Sequence, residues 1–174
     1  LVMENKIYAI IGGFDELSSS VYDSACKINN KSIFINVSSI KIKKKNIFNF
    51  KIYELEKIIN FLKDKNVTNL CITGKVSRPN IDSIKIDKVL SLHMSLIMSA
   101  YKKGDDNLLK TIANIFISYD FNIVSIKKIN KNFYFNNNFD SSSDLSKQDF
   151  LDIKKGTSIL NAISNFDNAQ SIIV

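Results

Sequence analysis

The run Lys6-Ile7-Tyr8-Ala9-Ile10-Ile11, apolar after its lysine, stops at Gly12-Gly13. That is the pattern of a buried strand ending in a tight turn. Residues 18–29 follow a helical rhythm, with Val21, Ala25 and Ile28 on one face. Ser32-Ile33-Phe34-Ile35-Asn36-Val37 reads as a second strand. Residues 53–65 carry a clear helical signal, because Leu55, Ile58, Ile59 and Leu62 recur with the 3.6-residue period. Val67 to Thr73 reads as a third strand, and helices are predicted over about 85–102 and 106–118. They join at Lys103-Gly104-Asp105, where Gly104 suits a helix C-cap and Asp105 the next N-cap. Phe121 to Ile126 reads as a further strand. Strands alternating with helices predict an α/β domain with a Rossmann-like, mainly parallel sheet and flanking helices. Such sheets bind ligands outside the carboxyl ends of their strands. The loops that begin at Gly12 and Gly74 both leave from that side.

Periodicity then lapses. Residues 136–146, NNNFDSSSDLS, read as a linker. A helix is predicted over 147–164, with Phe150, Ile153, Thr157 and Leu160 on one side, and a strand over 169–174. A lone helix and strand cannot bury a core. The expected organisation is therefore an N-terminal α/β domain over 1–135, a linker over 136–146, and the truncated start of a second domain over 147–174.

Composition changes the weight of these signals. Ile, Lys and Asn number 28, 23 and 21, together 72 of the 174 residues. Their codons are A/T-rich, whereas those of Gly, Pro and Arg are G/C-rich. The chain holds five glycines, one proline (Pro79) and one arginine (Arg78). Residues kept against such a bias are expected to do what Lys, Asn and Ile cannot. The same bias discounts the net charge of +7, since all but one of the 24 basic residues are lysine. A phosphate-reading surface favours arginine's bidentate fork, so no nucleic-acid partner is expected. The run Lys41, Lys43, Lys44, Lys45 reads as a solvated loop. Cys26 and Cys71 form neither a disulfide framework nor a metal spacing. No stretch of about 20 apolar residues occurs, and Leu1-Val2-Met3-Glu4 lacks the form of a signal peptide, so a cytoplasmic protein is expected.

Candidate chemistry gathers at three places. In Thr73-Gly74-Lys75-Val76-Ser77-Arg78-Pro79, Gly74 permits close backbone approach, Lys75 offers a point charge and Arg78 a planar fork. Pro79 holds Arg78 extended. The stretch is an anion-binding loop or a turn with two solvated cations. Gly12-Gly13-Phe14-Asp15-Glu16-Leu17 precedes a helix whose N-terminus could receive a phosphate. It lacks the dinucleotide spacing, and a plain tight turn is the other reading. Asp105 and Asp106 could supply oxygen ligands to magnesium or cap a helix. His93, between Leu92 and Met94, reads as ordinary helix packing.

Four blocks in order resemble motifs of the LpxI family. They are Ile11 to Leu17, Gly74 to Pro79, Lys103-Gly104-Asp105-Asp106-Asn107-Leu108-Leu109, and Asp167 to Val174. Members are magnesium-dependent, two-domain UDP-2,3-diacylglucosamine pyrophosphatases of lipid A synthesis. The resemblance therefore implies hydrolysis of UDP-2,3-diacylglucosamine to UMP and 2,3-diacylglucosamine 1-phosphate, with Mg2+ as cofactor. It implies substrate contacts from Gly12, Gly13, Gly74, Lys75, Arg78, Pro79, Asp105, Asp106 and Gln170. The family's catalytic aspartate lies in its C-terminal domain and has no match before Val174, so the chain itself is expected to be inactive. A lipid substrate implies work at the inner face of the inner membrane, and a homodimer is a further expectation. The chain departs from the family pattern at Asp15, where the family has Gly, at Ser18, where it has Pro, and at Asn168-Ala169, where it has Ile-Gly. Two other readings stay open: a nucleotide- or sugar-nucleotide-binding α/β module without hydrolytic activity, and a basic structural or nucleic-acid-binding domain.

Overall fold

Apolar runs too short for helices can bury both faces only in a sheet covered on both sides. In a computed structural model, which describes residues 6–77, 84–133 and 145–163, five strands form one all-parallel sheet among the described residues, and the three central ones are such runs. In chain order the elements begin with β1 (Tyr8–Gly12), α1 (Glu16–Ile28), β2 (Ile33–Asn36), β3 (Ile47–Asn49), α2 (Leu55–Asp64) and β4 (Asn69–Ile72). There follow α3 (Lys88–Lys103), α4 (Asp105–Ser118), β5 (Asn122–Ile123), α5 (Ile126–Ile129), a single 3-10 turn (Lys131–Phe133) and α6 (Lys147–Ile163). The strand order is β3-β2-β1-β4-β5. The expected α/β class is what the chain adopts.

β1 is central and wholly buried. It pairs Ile10 with Phe34 of β2 on one side and with Cys71 of β4 on the other. The pleat sends Tyr8 and Ile10 to one face, where they pack with Val21 and Ala25 of α1, Phe34, Cys71, Val124 and Ile129. Phe34 anchors this layer, edge-on to Phe14 at 5.0 Å and to Tyr22 at 5.8 Å between ring centres. The chain leaves β1 for β2 and β3 on one side, then returns for β4 on the other. Right-handed crossovers in opposite directions put their helices on opposite faces. The second crossover helix, α2, buries the Leu55, Ile58, Ile59 and Leu62 stripe that its sequence predicts.

Several local expectations change. β3 is not foreseen: three residues on the sheet's edge, paired to β2 through Phe34 and Ile47. Ile28 is 42% exposed, because α1 ends there and the chain turns at Asn29. The strand predicted over 121–126 is only Asn122–Ile123, and Ile126 already opens α5. Gly104, at φ +108°, ends α3, and its carbonyl also accepts from Leu108 N at 3.1 Å. It is thus the N-cap of α4, while Asp105 is that helix's first residue. On α6, Phe150 and Ile153 are exposed and Gly156 is the buried position. The stretch 136–144 and the strand predicted over 169–174 lie outside the described residues.

The chain divides into two compact units, Leu1–Ser95 with Ile112–Tyr134, and Leu96–Thr111 with Phe135–Val174. The first holds the whole sheet. Within it, the start of α2 has no side-chain cap from Glu54. Asp87 supplies one from a distance in sequence, accepting from Glu56 N at 2.9 Å while it caps α3 through Leu90 N at 2.7 Å.

Helices α2 and α4 end alike. Asn66 at φ +54° and Asp120 at φ +72° take the left-handed position past each helix. Val67 N then reaches back to Leu62 O at 3.0 Å, and Phe121 N to Phe116 O at 3.2 Å. This is the helix end usually made with glycine. Phe116 and Phe121 add the apolar contact that accompanies it, with rings 6.0 Å apart. We expect Asp120→Ala to lower stability by about 1 kcal/mol through the left-handed strain on a Cβ residue without a local hydrogen bond. Asp120→Gly should match or exceed the parent. Urea unfolding of the three proteins checks the order; equal midpoints for alanine and glycine would contradict it.

Candidate functional site

β2 and β4 flank β1 on opposite sides, so the chain leaves the carboxyl ends of β1 and β4 in opposite directions. That is the topological switch point, where sheets of this kind open a crevice. Here the two loops run against one another. Val37 N donates to Gly12 O at 3.0 Å, and Thr73 N to Ile11 O at 3.0 Å. A Cβ placed on Gly12 would overlap the carbonyl oxygen of Thr73, and one on Gly13 that of Lys75. Gly74 has φ +92°, and a Cβ there would overlap Gly13 O and lie 3.0 Å from Ser18 Cβ. The three glycines are needed first for the loops to approach each other, backbone against backbone.

Asp15 fastens the two loops. One carboxylate oxygen accepts from Ser18 N at 2.8 Å, and the other from Lys75 N at 2.6 Å across 60 residues of chain. Ser18, fully buried, completes the cap: its hydroxyl accepts from Asp15 N at 2.9 Å and donates to Gly13 O at 2.6 Å. The N–H groups of Ser18 and then Lys75 hold the Asp15 carboxyl below its ordinary value of 3.8. Thus the two departures in the first loop, Asp15 and Ser18, bond to each other. The sequence left open either a phosphate at the N-terminus of α1 or a plain tight turn; the first turn holds the Asp15 carboxylate. The hollow outside that turn, about 460 Å³, is lined by Asp15, Glu16, Leu17, Ser20 and Phe133. Its two carboxylates repel a further anion.

Gly12, Gly13, Gly74 and Lys75 are therefore brought together at one edge, the first two buried and Lys75 exposed. Arg78, Pro79 and Gln170 lie outside the described residues. Asp105 and Asp106 belong to the second unit, exposed on the first turn of α4. Asp106 pairs with Lys110 at 2.6 Å, a surface contact of small energetic weight. Among the described residues no three His, Cys, Asp or Glu side chains come together for a metal ion.

His93 packs edge-on to Tyr119 with ring centres 6.2 Å apart, as a helix-packing residue does. Its Nε2 is buried without a hydrogen-bond partner among the described residues. Burial pushes the Cys71 thiol up to about 11, which keeps it protonated and unreactive. Sequence reading missed Asp15 and Asn36. Asp is a favoured N-cap residue, which is the signal that could have found Asp15; Ser18 is not the Glu or Gln of the usual capping box. Asn36, fully buried at the end of β2, has no such signal among so many asparagines.

Residues 8–133 match the family model of the LpxI N-terminal domain, a span that takes in the whole sheet and both glycine loops. No curated protein matches the chain.

Asp15→Ala should lower stability by about 1 to 2 kcal/mol, as removal of a helix cap does. The folded-state pKa of Asp15 is depressed, so its contribution is complete above the unfolded value near 3.8. It is lost as the pH falls through the lower folded value. Thermal melts of parent and variant should therefore differ at pH 7 and converge below about pH 4. A gap that widens on acidification would contradict this assignment.

Proposed function

The chain belongs to the LpxI family, enzymes of lipid A synthesis, and we propose that its switch-point edge binds UDP-2,3-diacylglucosamine for hydrolysis to UMP and 2,3-diacylglucosamine 1-phosphate. The observation that carries this reading is the family match itself, which spans both interlocked loops. In the reaction, water adds to one phosphorus of the pyrophosphate and the bridging P–O bond breaks. The bridging oxygen leaves with the other phosphate, and a proton is released to solvent. Negative charge grows on the oxygens around the attacked phosphorus and on the leaving phosphate. Fixed cations stabilise that change.

Lys75 offers an exposed ammonium at the edge, and Arg78 follows three residues on. Its planar fork suits two phosphate oxygens at once. The anion is held by these side chains, not by the first turn of α1, where Asp15 already sits. Magnesium, when bound, would add charge neutralisation. Asp105 and Asp106 are the residues that would lend it carboxylate oxygens, and no step is assigned through it. The part given to these residues is binding and charge stabilisation. The acyl chains of the substrate place the work at the inner face of the inner membrane.

In the protein that carries this chain, Arg78→Lys should cost about 1 to 3 kcal/mol of transition-state stabilisation, or roughly 5- to 150-fold in kcat/KM. The thermal midpoint should not change. UMP release measured with magnesium, beside a melt, checks both. Unchanged kcat/KM removes Arg78 from the site. Tight binding of UDP-2,3-diacylglucosamine with no UMP release would favour a sugar-nucleotide-binding module.

A further inference from the structure

The lysine run after β2 is exposed, as its sequence suggests, but its backbone is braced. Asn36 donates from Nδ2 to Ile40 O at 2.6 Å and to Asn49 Oδ1 at 2.8 Å. Its Oδ1 accepts from the Ser38 hydroxyl at 2.8 Å. Asn49 in turn accepts from Ile42 N at 2.8 Å and donates to Ile42 O at 2.9 Å. Two asparagine side chains at the ends of β2 and β3 thus give the loop the partners that a neighbouring strand would give. The rim closes where Asn46, at φ +61°, turns the chain into β3 and Phe34 N donates to Asn46 O at 2.9 Å.

This bracing fixes what faces outward. Ile42 turns inward against the core, while Ile40 is 70% exposed. Lys41, Lys43, Lys44 and Lys45 are all exposed, and residues 37–51 contain no Asp or Glu. Lys44 leans over the ring of Phe14 at 5.3 Å, which ties the loop to the glycine loop of β1 at the same edge of the sheet.

We propose that this loop docks the protein on an anionic bilayer, with Ile40 entering the head-group layer and the lysines meeting lipid phosphates. Four uncompensated lysines beside one projecting aliphatic side chain complement a surface that is anionic outside and apolar beneath. A nucleic acid would instead be gripped by arginine and by aromatic faces on which bases stack. The loop has no arginine, and the nearby Phe14 is already engaged with Phe34 and Lys44. The proposal stands apart from the reaction above, because vesicles free of that substrate test it.

The test is co-sedimentation of the full chain with vesicles of phosphatidylcholine, with and without about one-third phosphatidylglycerol. Binding is expected only with the anionic lipid, and it should weaken as salt rises. Lys41→Gln/Lys43→Gln/Lys45→Gln should weaken it by about 100-fold, at roughly 5-fold per lysine near such a surface. Ile40→Ser should weaken it by about 10-fold with the salt dependence kept. Lys147→Gln/Lys154→Gln/Lys155→Gln on α6 removes the same charge and should change it little. Equal binding to neutral vesicles, no binding, or equal loss in both triple variants overturns the proposal. So does retention by a ribo-oligonucleotide that the loop variant abolishes and Ile40→Ser leaves intact. Unchanged melting temperatures show that each variant is folded.

Discussion

At the switch point two stretches of main chain pass each other with no side chain between them. Gly12 and Gly13 lie against the carbonyls of Thr73 and Lys75, and Gly74 lies against Gly13. This contact sets how closely the ends of β1 and β4 come together, and so fixes the shape of the sheet's ligand edge. Asp15 can reach both Ser18 N and Lys75 N only because the loops are this close. One carboxylate then starts α1 and fastens the β4 loop. The Ser18 amide of that first turn is thereby engaged, and the Asp15 carboxylate beside it disfavours a phosphate there.

The same contact explains which glycines a glycine-poor chain keeps. Where a left-handed residue is needed near φ +60°, the chain uses Asn46, Asn66 and Asp120. These short polar side chains tolerate that region. Where a Cβ has no room, as at Gly12 and Gly13, or where φ reaches +92°, as at Gly74, glycine stays. The sequence offered close approach or a tight turn at these positions, and the approach that the structure shows is to another loop. They admit another loop before they could admit a ligand.

The elements most legible in the sequence are those whose partners are implied by period alone. The stripe of α2 and the apolar runs of β1 and β2 require a sheet covered on both faces. β3 is not legible, because three residues carry no period; the open edge of β2 makes them a strand. Asn36 is hidden by composition, one asparagine among 21. Asp15 is hidden because its bond to Lys75 N spans 60 residues, which no local spacing encodes. On α6 a period cannot say what covers a face, and Phe150 and Ile153 are exposed.

Strand order also sets a schedule. β1 is central, yet its second partner, β4, lies about 60 residues further on, and so does the Asp15 to Lys75 bond. At a synthesis rate of about 5 to 20 residues per second, that edge of β1 waits roughly 3 to 12 seconds for its partner to be made. An unpaired strand with apolar residues on both faces is a template for wrong pairing. The segments made in that interval carry Lys41, Lys43, Lys44 and Lys45, and like charge on neighbouring chains opposes their association.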